Sequence, residues 1–392
     1  MSVLFILFES IIFFYFAYTT FYSLIFSIAG LFYKTPRFLA NKTKKQNRLA
    51  VLIPSYKEDN VIINVAKQAL IQSYQKEFYD VIVIADSLLD TTIANLVKLD
   101  IIVHKVQFDK STKVKSLQSF LNSTNEYDIA VILDADNVMD HEFLTKINQC
   151  YNNGWNAIQG QRTAKNKNTP FAILDGLSEA IANHINRQGA IAFGLSSPII
   201  GSGMAFQFSL IKNVLNTIDS IGGFDKELQI KILESGTKIH YLKDAIVLDE
   251  KVDNPEVFKN QRRRWMSSHY IYFRKFFLKG ILSLFHGNLS IFNISILYGV
   301  QLPRMMNLGI LSILTLFSIL LHNYLFLPYP YWLVILGLFI LSLFLAIPPA
   351  YFNRTLCKAI LTAPKAFLTI FALHFKLKGA NKKFIHTPHK QQ

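Results

Sequence analysis

Cysteine is almost absent: Cys150 and Cys357 are the only thiols in 392 residues. Two thiols without metal-ligand spacing exclude a cysteine-based zinc site and a disulfide framework, and they suit a domain in a reducing compartment. Acid is missing from both ends of the chain. Glu9 is the only carboxylate before Glu58, and no Asp or Glu follows Glu256. Chemistry that needs a carboxylate is therefore confined to the stretch between Glu58 and Glu256. No internal repeat and no low-complexity segment interrupts the sequence.

Apolar side chains are abundant instead. They make up 51% of the chain, with 33 phenylalanines, and the net charge is +15 from 41 basic and 26 acidic residues. Such a basic excess suits either nucleic acid or an anionic membrane surface. Because the basic residues flank apolar runs, membrane lipids are the expected partner and nucleic acid is not. Residues 1–33 read as a transmembrane helix, since about 20 apolar residues cross a bilayer. The uncharged start Met1-Ser2-Val3 and the long apolar run argue for a retained helix over a cleaved signal peptide. Residues 34–48 form a basic linker (Lys34, Arg37, Lys42, Lys44, Lys45, Arg48), which marks the cytosolic side. Residues 255–300 read as interfacial helices of mixed basic and aromatic character. In residues 301–375, Met305–Phe326 and Tyr331–Ala350 are expected to span, joined by a loop without Lys or Arg. Cys357–Leu377 is expected to lie in the interface or re-enter the bilayer. Residues 376–392 form a basic cytosolic tail. The expectation is a multi-pass protein of the cell membrane with its carboxylate-bearing domain in the cytosol.

That domain, residues 49–254, reads as α/β. Leu49–Pro54, Asp80–Ala85, Ile101–Val106 and Asp128–Leu133 are short β-branched runs, separated by helical patterns such as Asn60–Gln72 and Lys113–Leu121. Alternating units of this kind imply a mostly parallel, Rossmann-like sheet covered on both faces, with ligands beyond the C-terminal strand ends.

The polar clusters fall at those strand ends. Asp134-Ala135-Asp136 follows an apolar strand. Two carboxylates at that spacing suit a hard divalent cation that in turn binds a diphosphate, although the same pattern also makes a solvated turn. Asp86 ends an earlier strand, where it can accept from a base N–H or cap the next segment. Lys113 opens a helix and can reach phosphate or stay solvated. Ile200-Gly201-Ser202-Gly203-Met204 is a small-residue turn that allows close backbone approach, or a simple tight turn. Asp225, in Gly222-Gly223-Phe224-Asp225-Lys226-Glu227, is a helix cap or a general base, with Glu227 as its rival. Gln261-Arg262-Arg263-Arg264-Trp265 combines guanidinium forks for phosphate with an indole face for a sugar ring, or anchors the interface.

In this order the clusters resemble the family 2 glycosyltransferases, in particular the membrane branch that contains cellulose, chitin and hyaluronan synthases. The resemblance covers about residues 49–270. It implies a GT-A fold, a UDP-sugar donor, Mg²⁺ or Mn²⁺, and inverting transfer. By position it implies that Pro54, Tyr56, Glu58 and Asp86 contact the nucleoside, that Lys113 and Asp134 face the diphosphate, and that Asp136 holds the metal. It also implies that Asp225 is the base and that Gln261, Arg264 and Trp265 form the Gln-x-x-Arg-Trp motif. One departure stands out: counting back from Ser235-Gly236, Phe224 replaces the glutamate that usually precedes the base. With about three expected spans there is little room for a private polymer channel. The acceptor is then a glycan or lipid-linked molecule, with a homodimer or an export partner as a way to complete a pore. The contrasting reading is a non-catalytic membrane transport or scaffold subunit with a degenerate transferase domain, for which Phe224 is the best support.

Overall fold

The computed structural model describes residues 2–36, 45–220, 222–252 and 254–377. Arg37, Lys42 and Lys44 of the basic linker, and Lys378, Lys382, Lys383 and Lys390 of the tail, lie outside the described residues.

Eight strands form one sheet in the order β3-β2-β1-β4-β7-β6-β8-β5. In chain order they are β1 (Leu49–Tyr56), β2 (Tyr79–Asp86), β3 (Ile102–Val106), β4 (Ile129–Ile132), β5 (Val138–Met139), β6 (Ala157–Ala164), β7 (Met204–Gln207) and β8 (His240–Asp249). The half that the sequence marked as strands, β3-β2-β1-β4, is wholly parallel. The other half is mixed: β7 runs antiparallel to both β4 and β6, β5 is antiparallel to β8, and only β6 and β8 pair in parallel. β6 and β8 carry Gln, Arg, Lys and Asp among their apolar residues, and β5 and β7 are only two and four residues long, which hid them from a reading based on β-branched runs.

The sheet is covered on both faces, and β1 shows why. Leu49, Val51 and Ile53 pack with Ile62, Val65, Phe143 and Leu144 in one layer. Ala50 and Leu52 point the other way, toward Leu117, Ile211, Leu228 and Ile232. Successive side chains of a strand face opposite sides, so an unbroken apolar strand is buried twice.

Among the described residues, four apolar helices pack beside this domain. Val3–Leu31 has 29 residues and Arg354–His374 has 21, both long and apolar enough to cross a membrane. Arg304–Leu320 and Tyr329–Leu345 have 17 residues each, shorter than the two spans expected at those places. Val3–Leu31 runs beside Tyr329–Leu345. The Glu9 carboxylate accepts the backbone N–H groups of Phe326 (2.9 Å) and Leu327 (3.1 Å) at one end, and the Ser27 hydroxyl donates to the Ser342 carbonyl (2.6 Å) toward the other. The lone acid of the first helix thus closes the turn between two others. Val3, Phe8, Phe14, Leu320, Val334, Phe344, Leu361 and Leu368 stay exposed on these helices.

Beneath the strand ends lies a buried set of charges. The Arg162 guanidinium pairs with Glu179 (2.7 Å) and Asp249 (3.8 Å), and the Lys251 ammonium pairs with Glu179 and Asp249 (2.6 Å). Burial pushes the Asp249 carboxyl up, but Arg162 and Lys251 together hold it well below the usual carboxylate range. Burial likewise pulls the Lys251 ammonium down, and Asp249 and Glu179 together raise it above its ordinary value. The carboxylate contribution to stability is therefore present above the unfolded carboxylate pKa and is lost as pH falls through the depressed folded value.

Two outcomes follow for stability in detergent. Lys251→Met leaves two buried carboxylates sharing one guanidinium, so the folded state should lose about 3–5 kcal/mol. The acid-unfolding midpoint should move to higher pH, because Asp249 and Glu179 then protonate more readily; thermal and acid unfolding read both. Gly223 has φ 68°, and a Cβ there would sit 2.9 Å from Ser268 Cβ and Oγ. Gly154, at φ 97°, faces open space. Gly223→Ala should cost more than Gly154→Ala, which carries only the backbone penalty of about 1 kcal/mol. Equal losses in the two variants would show that the contact with Ser268 is not tight.

Candidate active site

The in-register parallel strands bring one residue from each to a common edge. Tyr56 ends β1 and Asp86 ends β2 as direct partners, and β4 delivers Leu133 and then Asp134. The residues just past the first two strands, Lys57 (φ 56°) and Ser87 (φ 58°), are both in the left-handed region, where non-glycine residues are strained. The Lys57 N–H donates to the Asp86 carbonyl (3.2 Å) and ties the two turns together.

These turns open onto a cleft of about 870 Å³. Every site residue expected from the sequence lines it: Pro54, Tyr56, Glu58, Asp86, Lys113, Asp134, Asp136, Asp225, Gln261, Arg264 and Trp265. Glu227, the rival of Asp225, does not. Its carboxylate is buried and held by Lys275 (2.8 Å) and Lys231 (4.0 Å). Both acids stand in the first turn of the helix Phe224–Glu234, two positions apart, so they point to different sides. Gly223 occupies the N-cap position, and Asp225 is not the cap.

Asp86 is 1% exposed. Its Oδ1 accepts from the Ser87 hydroxyl (3.0 Å), whereas its Oδ2 has no hydrogen-bond partner among the described residues. Ser55 Oγ and Gln261 Oε1 in the same cleft are likewise buried without a partner. Such groups are costly to bury unless something pairs with them.

The Asp134–Asp136 turn is held from three sides. The Asp134 N–H donates to Ser202 Oγ (2.9 Å), and the Lys113 ammonium bridges Asp134 and the Gly201 carbonyl (2.8 Å). Asn137 Nδ2 donates to Asp136 (3.0 Å) and to Asp249 (2.9 Å), which links the turn to the buried charge set. The Gly201-Ser202-Gly203 turn is pinned in its own right. Gln159 Nε2 donates to the Ser202 (3.0 Å) and Gly203 (3.2 Å) carbonyls, and its Oε1 accepts the Ile200 N–H (3.0 Å). Gly201 and Gly203 have φ 81° and 61°, the left-handed conformation that glycine adopts freely. Lys113 Nζ also lies 5.6 Å from the Phe224 ring centroid, a cation–π contact.

The helix Pro255–Phe285 separates the three arginines by direction, because consecutive residues are about 100° apart on a helix. Arg262 pairs with Asp175 and stacks on Phe258 (4.8 Å) and Trp265 (4.6 Å). Arg263 donates to the Lys376 carbonyl (2.6 Å), fastening the end of the last helix. Arg264 faces the cleft; burial pulls its pKa down and the Asp134 charge raises it. Gln261, Arg264, Trp265 and Ser268 share one face at helical spacing and line the cleft together.

Among the described residues no group of three or more His, Cys, Asp or Glu side chains converges as a protein-only metal cage. Asp134 and Asp136 fit a divalent ion that takes its remaining ligands from a diphosphate and water, which is how Mg²⁺ is commonly held. Sequence reasoning missed the support: Asn137, Arg162, Glu179, Asp249 and Lys251. One signal was present, since Asp249-Glu250-Lys251 follows an apolar strand just as Asp134-Ala135-Asp136 does.

The chain is similar to several solved structures. A mannosyltransferase from Pyrobaculum calidifontis, solved with GDP-Man and Mn²⁺, superposes with a TM-score of 0.55 at 16% identity over 93% of this chain and 97% of its own. Glucosyl-3-phosphoglycerate synthase from Mycobacterium tuberculosis, solved with Mn²⁺, UDP and phosphoglyceric acid, gives 0.43 at 14% identity over 61% and 84%. S. aureus TarS residues 1–349 give 0.43 at 14% identity over 86% and 90%. The first of these likenesses identifies the fold as GT-A. No curated protein matches the chain in sequence. The family model "Glycosyltransferase like family 2" matches residues 46–268, more than half of the chain, and this protein is therefore a member of the family 2 glycosyltransferases.

Proposed function

We propose that this protein is an inverting glycosyltransferase that moves a sugar from a UDP-sugar to a growing polysaccharide or a lipid-linked acceptor at the cytosolic face of the cell membrane. The observation that carries the reading is the single cleft that gathers the unpartnered Asp86 oxygen, the Asp134–Asp136 pair, and Asp225. Asp86 Oδ2 is placed to accept a base N–H, with Tyr56 and Glu58 beside it. Lys113 and Arg264 offer positive charge where the diphosphate leaves. The acceptor hydroxyl attacks the anomeric carbon and gives its proton to Asp225. The bond from that carbon to the diphosphate oxygen breaks, and its electron pair leaves with the nucleoside diphosphate.

Asp136, with Asp134, would hold Mg²⁺ or Mn²⁺, which when bound supplies charge neutralisation for the leaving diphosphate. The Mn²⁺ in the Pyrobaculum mannosyltransferase supports the same class of ion. The membrane reading is supported by the long apolar helices and their exposed side chains. Arg354–His374 buries one stripe (Ala359, Ala366, Ile370, Leu373) and exposes Arg354, Lys358 and Lys365, as an interfacial helix does.

The alternative is a non-catalytic transport or scaffold subunit. Phe224 favours it, because this side chain supplies a ring to Lys113 and no second acid beside Asp225.

Membranes carrying the protein, supplied with a panel of radiolabelled nucleotide sugars, test the choice. Transfer should require a divalent cation, and Asp136→Ala should abolish it. Asp225→Asn should lower transfer by about 10²–10⁴-fold with donor binding retained. Glu227→Gln should stay within a few-fold of the parent protein, because its carboxylate is committed to Lys275 away from the cleft. The opposite pattern, with Glu227→Gln inactive and Asp225→Asn active, would sink the base assignment. No transfer or hydrolysis from any donor would favour the scaffold reading.

A further inference from the structure

The cleft does not end at Trp265. It continues inward between the helices Pro170–Ala182, Tyr329–Leu345 and Arg354–His374, where its walls are mainly aliphatic: Leu177, Ile181, Leu343, Ile347, Ala363 and Ile370, with the ring of Phe344 among them. A polysaccharide track needs aromatic faces to stack on and polar groups for its hydroxyls. The aliphatic side chains provide neither, Phe344 is a single ring among the lining residues of these helices, and the wall as a whole matches a hydrocarbon chain.

Where the polar and aliphatic parts meet, the charges do not balance. Arg162 and Lys251 are matched by Glu179 and Asp249, and Arg262 by Asp175. Arg187 and Arg304 remain. Among the described residues neither has a carboxylate within ion-pair distance. Arg187 is 4% exposed, donates to Asn183 Oδ1 (2.7 Å), and has a buried Nε without a partner. Arg304 donates to the Ser178 carbonyl (2.9 Å). Both line the cleft, and the Arg187 and Arg262 charges repel that of Arg304. Glu179 is near Arg187 but already shared by Arg162 and Lys251. Cations gathered out of water without a counterion are unfavourable unless an anion joins them.

We propose that this inner part of the cleft is the acceptor site for a lipid phosphate, with Arg187 and Arg304 holding the phosphate and the aliphatic walls holding its chain. The planar guanidinium forks suit phosphate oxygens. The inference deepens the transferase reading and rests on it, because it names the acceptor as an anionic lipid and not a free glycan.

The full chain in non-ionic detergent is titrated with dodecyl phosphate, dodecanol, inorganic phosphate and, separately, UDP. Dodecyl phosphate should bind clearly more tightly than dodecanol or inorganic phosphate. Arg187→Gln/Arg304→Gln should weaken dodecyl phosphate about tenfold or more for each guanidinium removed, with UDP binding unchanged as the check on folding. If the double variant does not fold, Arg304→Gln alone carries the test with a tenfold loss. Undiminished dodecyl phosphate binding in the variants overturns the proposal. So does dodecanol binding as tightly as dodecyl phosphate, inorganic phosphate competing at equal concentration, or loss of UDP binding in a folded variant. Failure of the parent protein to bind UDP while dodecyl phosphate binding persists would overturn the transferase reading and leave this site standing.

Discussion

The buried pairing of Arg162 and Lys251 with Glu179 and Asp249 is the interaction on which the rest of the site depends. It joins β6, β8 and the helix Pro170–Ala182 at one point, and Asn137 extends it to Asp136. A buried ion pair adds little net stability over a well-packed apolar core, because desolvation offsets the attraction. Its value here is positional. Two cations and two anions satisfy one another in only a few arrangements, so the turn carrying Asp134 and Asp136 has little freedom.

Positive charge in this molecule is assigned to separate duties by the same logic of partners. Arg162 and Lys251 are consumed within the network, Arg262 by Asp175, and Arg263 by a backbone carbonyl. Lys113 and Arg264 face the Asp134 side of the cleft. Arg187 and Arg304 are left at the border of the aliphatic part. For Arg304 the absence of acid after Glu256 contributes to this division, since the later helices bring cations to the cleft and no carboxylate of their own to neutralise them.

Phe224 fits the same picture. Its ring gives Lys113 a cation–π contact, while the ammonium pairs with Asp134 and the Gly201 carbonyl. The ring also fills the layer between the sheet and the helix Phe224–Glu234, so it is part of the core as well as a wall of the cleft.

Much of the fold was legible in the sequence. The four parallel strands were, because buried β-branched runs followed by a polar residue have few other uses, and Lys113–Leu121 appears as a helix with the bounds its pattern suggested. The candidate cleft residues were legible too, because each sits at a strand end or on one helix face. The mixed strands β5 to β8 were not, since β6 and β8 carry polar residues, among them Arg162 and Asp249 of the network, and β5 and β7 are only two and four residues long. Nor was the separation of Asp225 from Glu227, or of three adjacent arginines, by sequence alone. Neighbours in sequence look equivalent on paper, while a helix turns each by about 100° toward a different partner. Residue type and order determined which chemistry this chain can hold. Only the tertiary structure decided which charges are spent on each other and which remain for a ligand, because that depends on distances between segments that the sequence places far apart.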